Sequence, residues 1–535
     1  MIVRKLRSIY IYVIALILFL ASIYYNLSGD YIFRRPLPEH TLLATSSPPL
    51  LPPPPISPVS ILFPEWQVLV VLSPENNYTH FNDIFCIFQN NEKSPAHFSG
   101  SLPFPNRNLL TCELPARVRR RLPFTEPTLV NSSVIRYPAR QTPAPDLLRW
   151  DFIVYDVLFT TNDVVVFVKG VNKRQGVNRT PQEFNCVFND DVANATRTSV
   201  TSSLQEVFRC QRPDLPAVST LVRVSLQFTA GKNVMPSIAY GDTVRNLTVT
   251  KPKSLLCACT MVYNVAKFLR EWVTYHSEIG VDKFIFYDNG SDDDLYDVVK
   301  KLVRDGYDIS MNFWLWPKTQ EAGFSHCAIS NKDMCSWMLF TDVDEFVFAR
   351  AWSNSTVPSK SMLRSFLQNA GTKVGQIMIG CHEFGPSNQK ENPALGVMQG
   401  YNCRKKSENR HKSIVLLDAI SDSLLNVIHH FDLKVGYKSR KLNVQNVVIN
   451  HYKFQAWPEF KAKFRRRVSA YVVDWTQALN PKSNDRAPGL GYAAVEPKGW
   501  PQKFCEVHDN ELKDMVEKWF GVTTLTGYRM IWERR

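Results

Sequence analysis

The sequence predicts an α/β domain with a mainly parallel sheet over residues 251–535, preceded by an all-β, sandwich-like module over 63–250 and a membrane-spanning helix near the N-terminus. Three observations carry this prediction: one long apolar run close to the start, a stretch of short strand patterns without helices, and a later alternation of strand and helix patterns.

The apolar run is Ser8 to Leu27, with Arg4, Lys5 and Arg7 before it and no charge inside it. About 18 to 20 such residues cross a bilayer as one helix. The basic flank keeps residues 1–7 in the cytosol and sends the rest of the chain across. The run ends in Ile23-Tyr24-Tyr25 and lacks a small-x-small cleavage signal, so it reads as an anchor of single-pass type II topology. Residues 28–62 are proline-rich, with Pro52-Pro53-Pro54-Pro55, and read as a stiff spacer.

Between 63 and 250, runs such as Gln67–Val71, Asp163–Val168 and Leu221–Leu226 are separated by Asn, Pro and Gly. A weak repeat is visible: Phe81-Asn82-Asp83-Ile84-Phe85-Cys86 resembles Phe184-Asn185-Cys186, and each is followed at a similar interval by a second cysteine, Cys112 or Cys210. Disulfides Cys86–Cys112 and Cys186–Cys210 are therefore expected. Eleven cysteines leave at least one thiol outside intramolecular pairs, which permits a disulfide-linked homo-oligomer. Sequons at Asn77, Asn131, Asn178, Asn194, Asn246, Asn289 and Asn354 also suit a secretory lumen.

After residue 251 the pattern changes. Ser254 to Val262 reads as a buried strand, and Val265, Phe268, Leu269, Trp272, Val273 and His276 recur at helical spacing. Strands at 283–287, 309–314 and 337–341 alternate with helices at 295–303 and 320–333. That alternation gives βαβ units, whose ligands sit at the carboxyl ends of the strands.

Two acidic turns fall at such ends: Asp288-Asn289-Gly290-Ser291-Asp292-Asp293-Asp294, and Asp342-Val343-Asp344-Glu345. An extended Asp-x-Asp places both carboxylates on one side of the backbone, where hard oxygen ligands suit Mn2+ or Mg2+ carrying a diphosphate. The net charge of +14 fits a polyanionic partner such as an acidic polysaccharide, an anionic membrane surface or a sugar diphosphate. No zinc-finger spacing or RNA-binding signature points to nucleic acid.

The motifs Phe268-Leu269-Arg270-Glu271-Trp272-Val273-x-Tyr275-His276-x-x-x-Gly280-Val281, Phe286-Tyr287-Asp288-Asn289-x-Ser291-x-Asp293 and Phe340-Thr341-Asp342-Val343-Asp344-Glu345-Phe346 resemble glycosyltransferase family 92 over roughly residues 250–510. The spacer and β module are similar to the plant branch, which includes β-1,4-galactan synthases. The resemblance implies a GT-A-type mixed sheet, an inverting mechanism, UDP-galactose as donor, an oligo- or polysaccharide acceptor of the cell wall, and the Golgi membrane as location.

It also implies that Asp288 and Asp293 bind the donor. Asp342 would contact the ribose or the metal and its water, and Asp344 would ligate the metal. A C-terminal histidine completes such sites; His451, after the apolar run Val447-Val448-Ile449, is the choice, with His429-His430 as the alternative pair. Glu383 and Asp474 are candidate general bases, and the basic run Lys461 to Arg467 is a candidate diphosphate contact. Val265 stands after Asn264 where many members outside plants carry an acidic residue, so nucleotide contacts there are expected to differ. A non-catalytic, membrane-tethered glycan-binding or scaffold protein is the competing class, and other UDP-sugars are competing donors.

Overall fold

The structure is a computed structural model. It describes residues 58–75, 83–120, 122–131, 144–173, 177–189, 191, 193–214, 221–231, 233–243, 252–462, 489–490, 493–525 and 527–533. These lie in one compact unit, Ile56–Arg535. The expected anchor at 8–27, the tail before it and Asp474 lie outside the described residues. Among those described, no helix is long and apolar enough to cross a membrane.

The expected spacer overlaps the folded part, because Val59–Leu62 is already a strand, paired antiparallel with Gln67–Val71 and with Ser60 and Ile61 buried. The β module that follows contains the same strand arrangement twice. In space the first copy runs Thr128–Asn131, Ile84–Ile87, Lys93–Leu102, Arg107–Glu113, Gln67–Val71, Val59–Leu62. The second runs Leu221–Phe228, Phe184–Phe188, Thr196–Leu204, Val207–Gln211, Asp163–Lys169, Ile153–Phe159. In both, a disulfide joins the outer strands of a three-strand meander, Cys86–Cys112 in one and Cys186–Cys210 in the other, as the cysteine spacing predicts.

The strand Asp163–Lys169 shows how the module meets the rest of the chain. Side chains alternate between the two faces of a strand. Val164, Val166 and Val168 face the core of the second copy, whereas Val165 and Phe167 enter a core shared with Trp314, Trp316 and Phe324. Both faces are covered, so the run is uniformly apolar. In the shared core, the indoles of Trp150 and Trp316 stack with ring centroids 5.6 Å apart, and Tyr155 lies 5.4 Å from Trp316. The Tyr155 hydroxyl donates to Glu206 at 2.8 Å, and Lys169 pairs with the same carboxylate.

The second half contains a ten-stranded mixed sheet. Ile309–Phe313, Lys283–Asp288, Ser254–Val262 and Cys335–Phe340 are parallel neighbours in that order. Cys403–Leu416, Val374–Phe384, Val447–His451 and Glu345–Ala349 continue it in mixed directions. The helix Ala266–Ile279 covers one face by burying Phe268, Leu269, Trp272, Val273, His276 and Ile279. It ends at Gly280, φ +130°, where a Cβ would lie 2.4 Å from the Lys360 carbonyl oxygen. Disulfides Cys257–Cys335 and Cys259–Cys327 tie the central strand to its neighbour and to the helix Gln320–Ser330. Cys403–Cys505 is the fifth bridge. Cys381 alone stays reduced and is fully buried, so it offers no thiol at the folded surface for the intermolecular bridge that the odd cysteine count permits.

Candidate active site

After the central strand Ser254–Val262, the chain adds its next two strands on one side and then Cys335–Phe340 on the other. Such a reversal opens a crevice beyond the carboxyl ends of the strands. The two acidic turns sit there, flanking the central strand.

In the first turn, Asp288 closes its strand and accepts from the Ser291 amide at 2.9 Å. The Asn289 side-chain amide donates to the Trp314 carbonyl, which engages the nitrogen that N-glycosylation would need. Asp293 has both oxygens on main-chain donors: Ala266 N–H at 2.9 Å and Leu295 N–H at 3.2 Å. It thus holds the first residues of two helices, Ala266–Ile279 and Leu295–Arg304, and the geometry gives this carboxylate a capping task where donor contact is expected.

The second turn differs from the extended Asp-x-Asp expected from sequence. The strand stops at Phe340, and Asp342 to Glu345 form a turn. The Glu345 amide donates to the Asp342 carbonyl at 3.1 Å, and the Asp342 amide donates to Glu345 Oε2 at 3.0 Å. This closure sends the two aspartates to different partners. Asp342 Oδ2 lies 3.2 Å from Lys412 Nζ and 3.6 Å from His429 Nε2. Asp344 Oδ1 lies 3.8 Å from His451 Nε2.

Sheet register delivers the histidine. His451 pairs with Glu345 on one side and Glu383 on the other, which sets three ionisable side chains in one row across three strands. Burial pushes His451 down to about 3, with Lys412 and Lys453 adding to the effect and Asp344 opposing it. The imidazole is therefore neutral near pH 7, as a ligand must be. Burial likewise pushes the Glu345 carboxyl up, against the pull of Lys412, whose ammonium lies 2.6 Å away. Burial would lower Lys412 itself, but Asp342 and Glu345 outweigh it and keep the ammonium charged.

Donor atoms of Asp344, Glu345 and His451 all lie within 4.8 Å of one another. Two atoms each about 2.1 Å from one ion stand roughly 3 to 4.2 Å apart. The Asp344–His451 separation of 3.8 Å falls in that range. One carboxylate oxygen and one neutral imidazole fit Mn2+ or a similar cation.

Glu383 is buried between Lys453, at 2.5 Å, and Lys405, at 3.1 Å. Burial alone would raise it, but the Lys453 charge and hydrogen bond, together with His451 and Lys405, hold it at about 2. The His429-His430 pair splits: His429 faces Lys412 and Asp342, while His430 Nδ1 shares a hydrogen bond with His411 Nε2 at 2.7 Å. Of the basic run, only Lys461 and the residue after it are described, in the helix Trp457–Ala462. Sequence reasoning missed Lys412. A signal was present: Lys412 lies two residues before Ile414, next to the apolar end of its strand, hence on the same buried face.

A glycosyltransferase family 92 protein of Arabidopsis thaliana is 41% identical over 401 residues, covering 72% of this chain and 69% of that protein. The chain belongs to glycosyltransferase family 92. The family profile matches residues 253–485, the segment that contains nine of the ten strands of the sheet and both acidic turns. Family 92 relatives from Oryza sativa, 40% identical over 70% of this chain and 67% of theirs, and from Ricinus communis, 40% identical over 74% and 71%, give the same assignment. As a member of family 92 the protein is a transferase of sugars. Among solved structures, a mannosyltransferase from Pyrobaculum calidifontis in complex with GDP-Man and Mn2+ covers 24% of this chain and 39% of its own at 13% identity and a TM-score of 0.19. A glucosyl-3-phosphoglycerate synthase from Mycobacterium tuberculosis covers 31% and 58% at 12% identity and 0.18. At scores this low, the fold is read from the chain's own strands.

Proposed function

We propose that the protein is a Golgi-anchored, type II, inverting galactosyltransferase that moves galactose from UDP-galactose onto a cell-wall glycan such as pectic β-1,4-galactan. The observation that carries the reading is the convergence of the Asp342-to-Glu345 turn with His451 beside the sheet's reversal point. Asp344 and His451 would hold a divalent cation, which when bound offsets the charge developing on the departing nucleoside diphosphate. Asp342, paired with Lys412 and facing His429, would contact the ribose or water around the cation. Asp288, at the end of the strand on the other side of the central one, would contact the uridine.

Inversion requires a base for the acceptor hydroxyl. Glu383, held at about 2 between two lysines, is too weak a proton acceptor for that task and reads better as the group that fixes Lys405 and Lys453. Asp474, which lies outside the described residues, is the candidate that remains for the base. The test is turnover by the purified full chain on a panel of UDP-sugars and oligosaccharides, with and without Mn2+. Turnover should need Mn2+ and prefer UDP-galactose. Asp344→Ala should lower it at least a thousandfold while the thermal melting curve stays cooperative; activity that survives the substitution would refute the metal assignment.

A further inference from the structure

Lys412 is a charged side chain in an unusual position. It projects from the strand Cys403–Leu416, and the side chain is 6% exposed. Its ammonium donates to His429 Nε2 at 2.6 Å and to Asp342 Oδ2 at 3.2 Å, and forms an ion pair with Glu345 Oε1 at 2.6 Å. The other Glu345 oxygen closes the acidic turn through the Asp342 amide. Glu345 is thus held by a hydrogen bond on one oxygen and by the charge of Lys412 on the other, which also lies 3.4 Å from His451 Nδ1, within reach of the same ion position as Asp344 and His451.

We propose that Lys412 is a built-in counter-ion of the acidic turn, a positioning residue whose ammonium takes up Asp342 and Glu345 so that the divalent cation is held by Asp344 and His451. The inference rests on the metal-dependent reading of the site. Without Lys412, the carboxylates of Asp344 and Glu345 would both face one ion position with no fixed charge between them, and Asp342 would lose its ion pair. With it, and with all three acids ionised, the acids and the ammonium together carry a net charge of −2, which one divalent cation neutralises.

The consequence is an unusual pairing of effects. A fixed positive charge near the ion weakens cation binding by repulsion. Lys412→Met should therefore bind Mn2+ about tenfold or more tightly and yet turn over more slowly, because Asp342 is no longer held for the donor. A lysine that merely supported the fold would, when lost, weaken binding and turnover together. Mn2+ binding is read by electron paramagnetic resonance on the purified full chain without donor. The double variant Lys412→Met with Glu345→Gln restores the net charge and should bring Mn2+ affinity back to within about threefold of wild type.

Tighter binding in Lys412→Met with recovery in the double variant supports the proposal. Unchanged or weaker binding in a folded Lys412→Met overturns it. Should Lys412→Met fail to fold, the double variant decides: affinity near wild type supports the counter-ion role, and loss of binding makes Glu345 a ligand and overturns it. A wild-type chain that binds no Mn2+ would instead overturn the metal reading itself.

Discussion

Glu271 in the helix Ala266–Ile279 shows how one buried carboxyl links pH to stability. It accepts from the amides of Val397 and Met398, both at 2.9 Å, and Gly396 lies so close that a Cβ there would meet the carboxyl at 2.6 Å. Burial raises its pKa to about 7, and the two amide bonds offset only part of that. A carboxyl raised above its unfolded value stabilises the fold at low pH, and that contribution is lost as pH climbs through the folded value. Stability should fall by roughly 3 kcal/mol from pH 5 to pH 9 on account of this group. Glu271→Gln should flatten the profile and be more damaging at pH 5.5 than at pH 8.5, as measured by urea unfolding at each pH. An equal penalty at both would show that Glu271 does not titrate in that window.

At the scale of elements, the loop from Ser421 to His430 connects the β module with the site. Gln205, in the turn after Thr196–Leu204, donates to the Asn426 carbonyl at 2.8 Å, and Arg209 donates to the Asp422 carbonyl. Asn426 is buried and donates to Ser325 Oγ at 2.8 Å and to the Glu321 carbonyl at 3.0 Å. The same loop presents His429 to Lys412 and Asp342. Asn426→Ala should cost about 2 kcal/mol and lower kcat several-fold, read by thermal melting and steady-state rates. Unaltered kcat in a destabilised variant would show that the loop does not position His429.

How far the sequence foretold these elements depended on range. The strands Ser254–Val262 and Lys283–Asp288 and the helices between and after them follow from local apolar periodicity, and the bounds fall within a few residues of expectation. The bridges Cys86–Cys112 and Cys186–Cys210 were legible because each closes a short, repeated interval. The duplicated strand order was not, since it is set by pairings between distant strands. Lys412 was missed although it shares a buried face with Ile414, because its partner Asp342 lies 70 residues away and the local pattern shows burial without showing the partner. The Asp342 turn also escaped, because period-two reasoning assumes a strand that here stops one residue before Thr341.

At the scale of the molecule, the β module and the catalytic sheet share one apolar interior, in which Trp150, Tyr155 and Phe167 pack with Trp314 and Trp316. Trp150 is 4% exposed. Trp150→Ala should cost about 3 to 5 kcal/mol. Because the interior is common, urea unfolding followed by far-ultraviolet circular dichroism and by tryptophan fluorescence should show one coincident transition, displaced as a whole by the substitution. Two separated transitions would show that the halves are independent.

The bridges on Cys257 and Cys259 enclose the chain between 259 and 327, which includes the turn at Asp288. A protease that cut this stretch once would leave both fragments joined until a reductant released them. During synthesis the reverse holds: the covalent clasp on the central strand cannot be complete before Cys335 has left the ribosome. The two halves of the crevice therefore become locked together late, after most of the βαβ segment already exists.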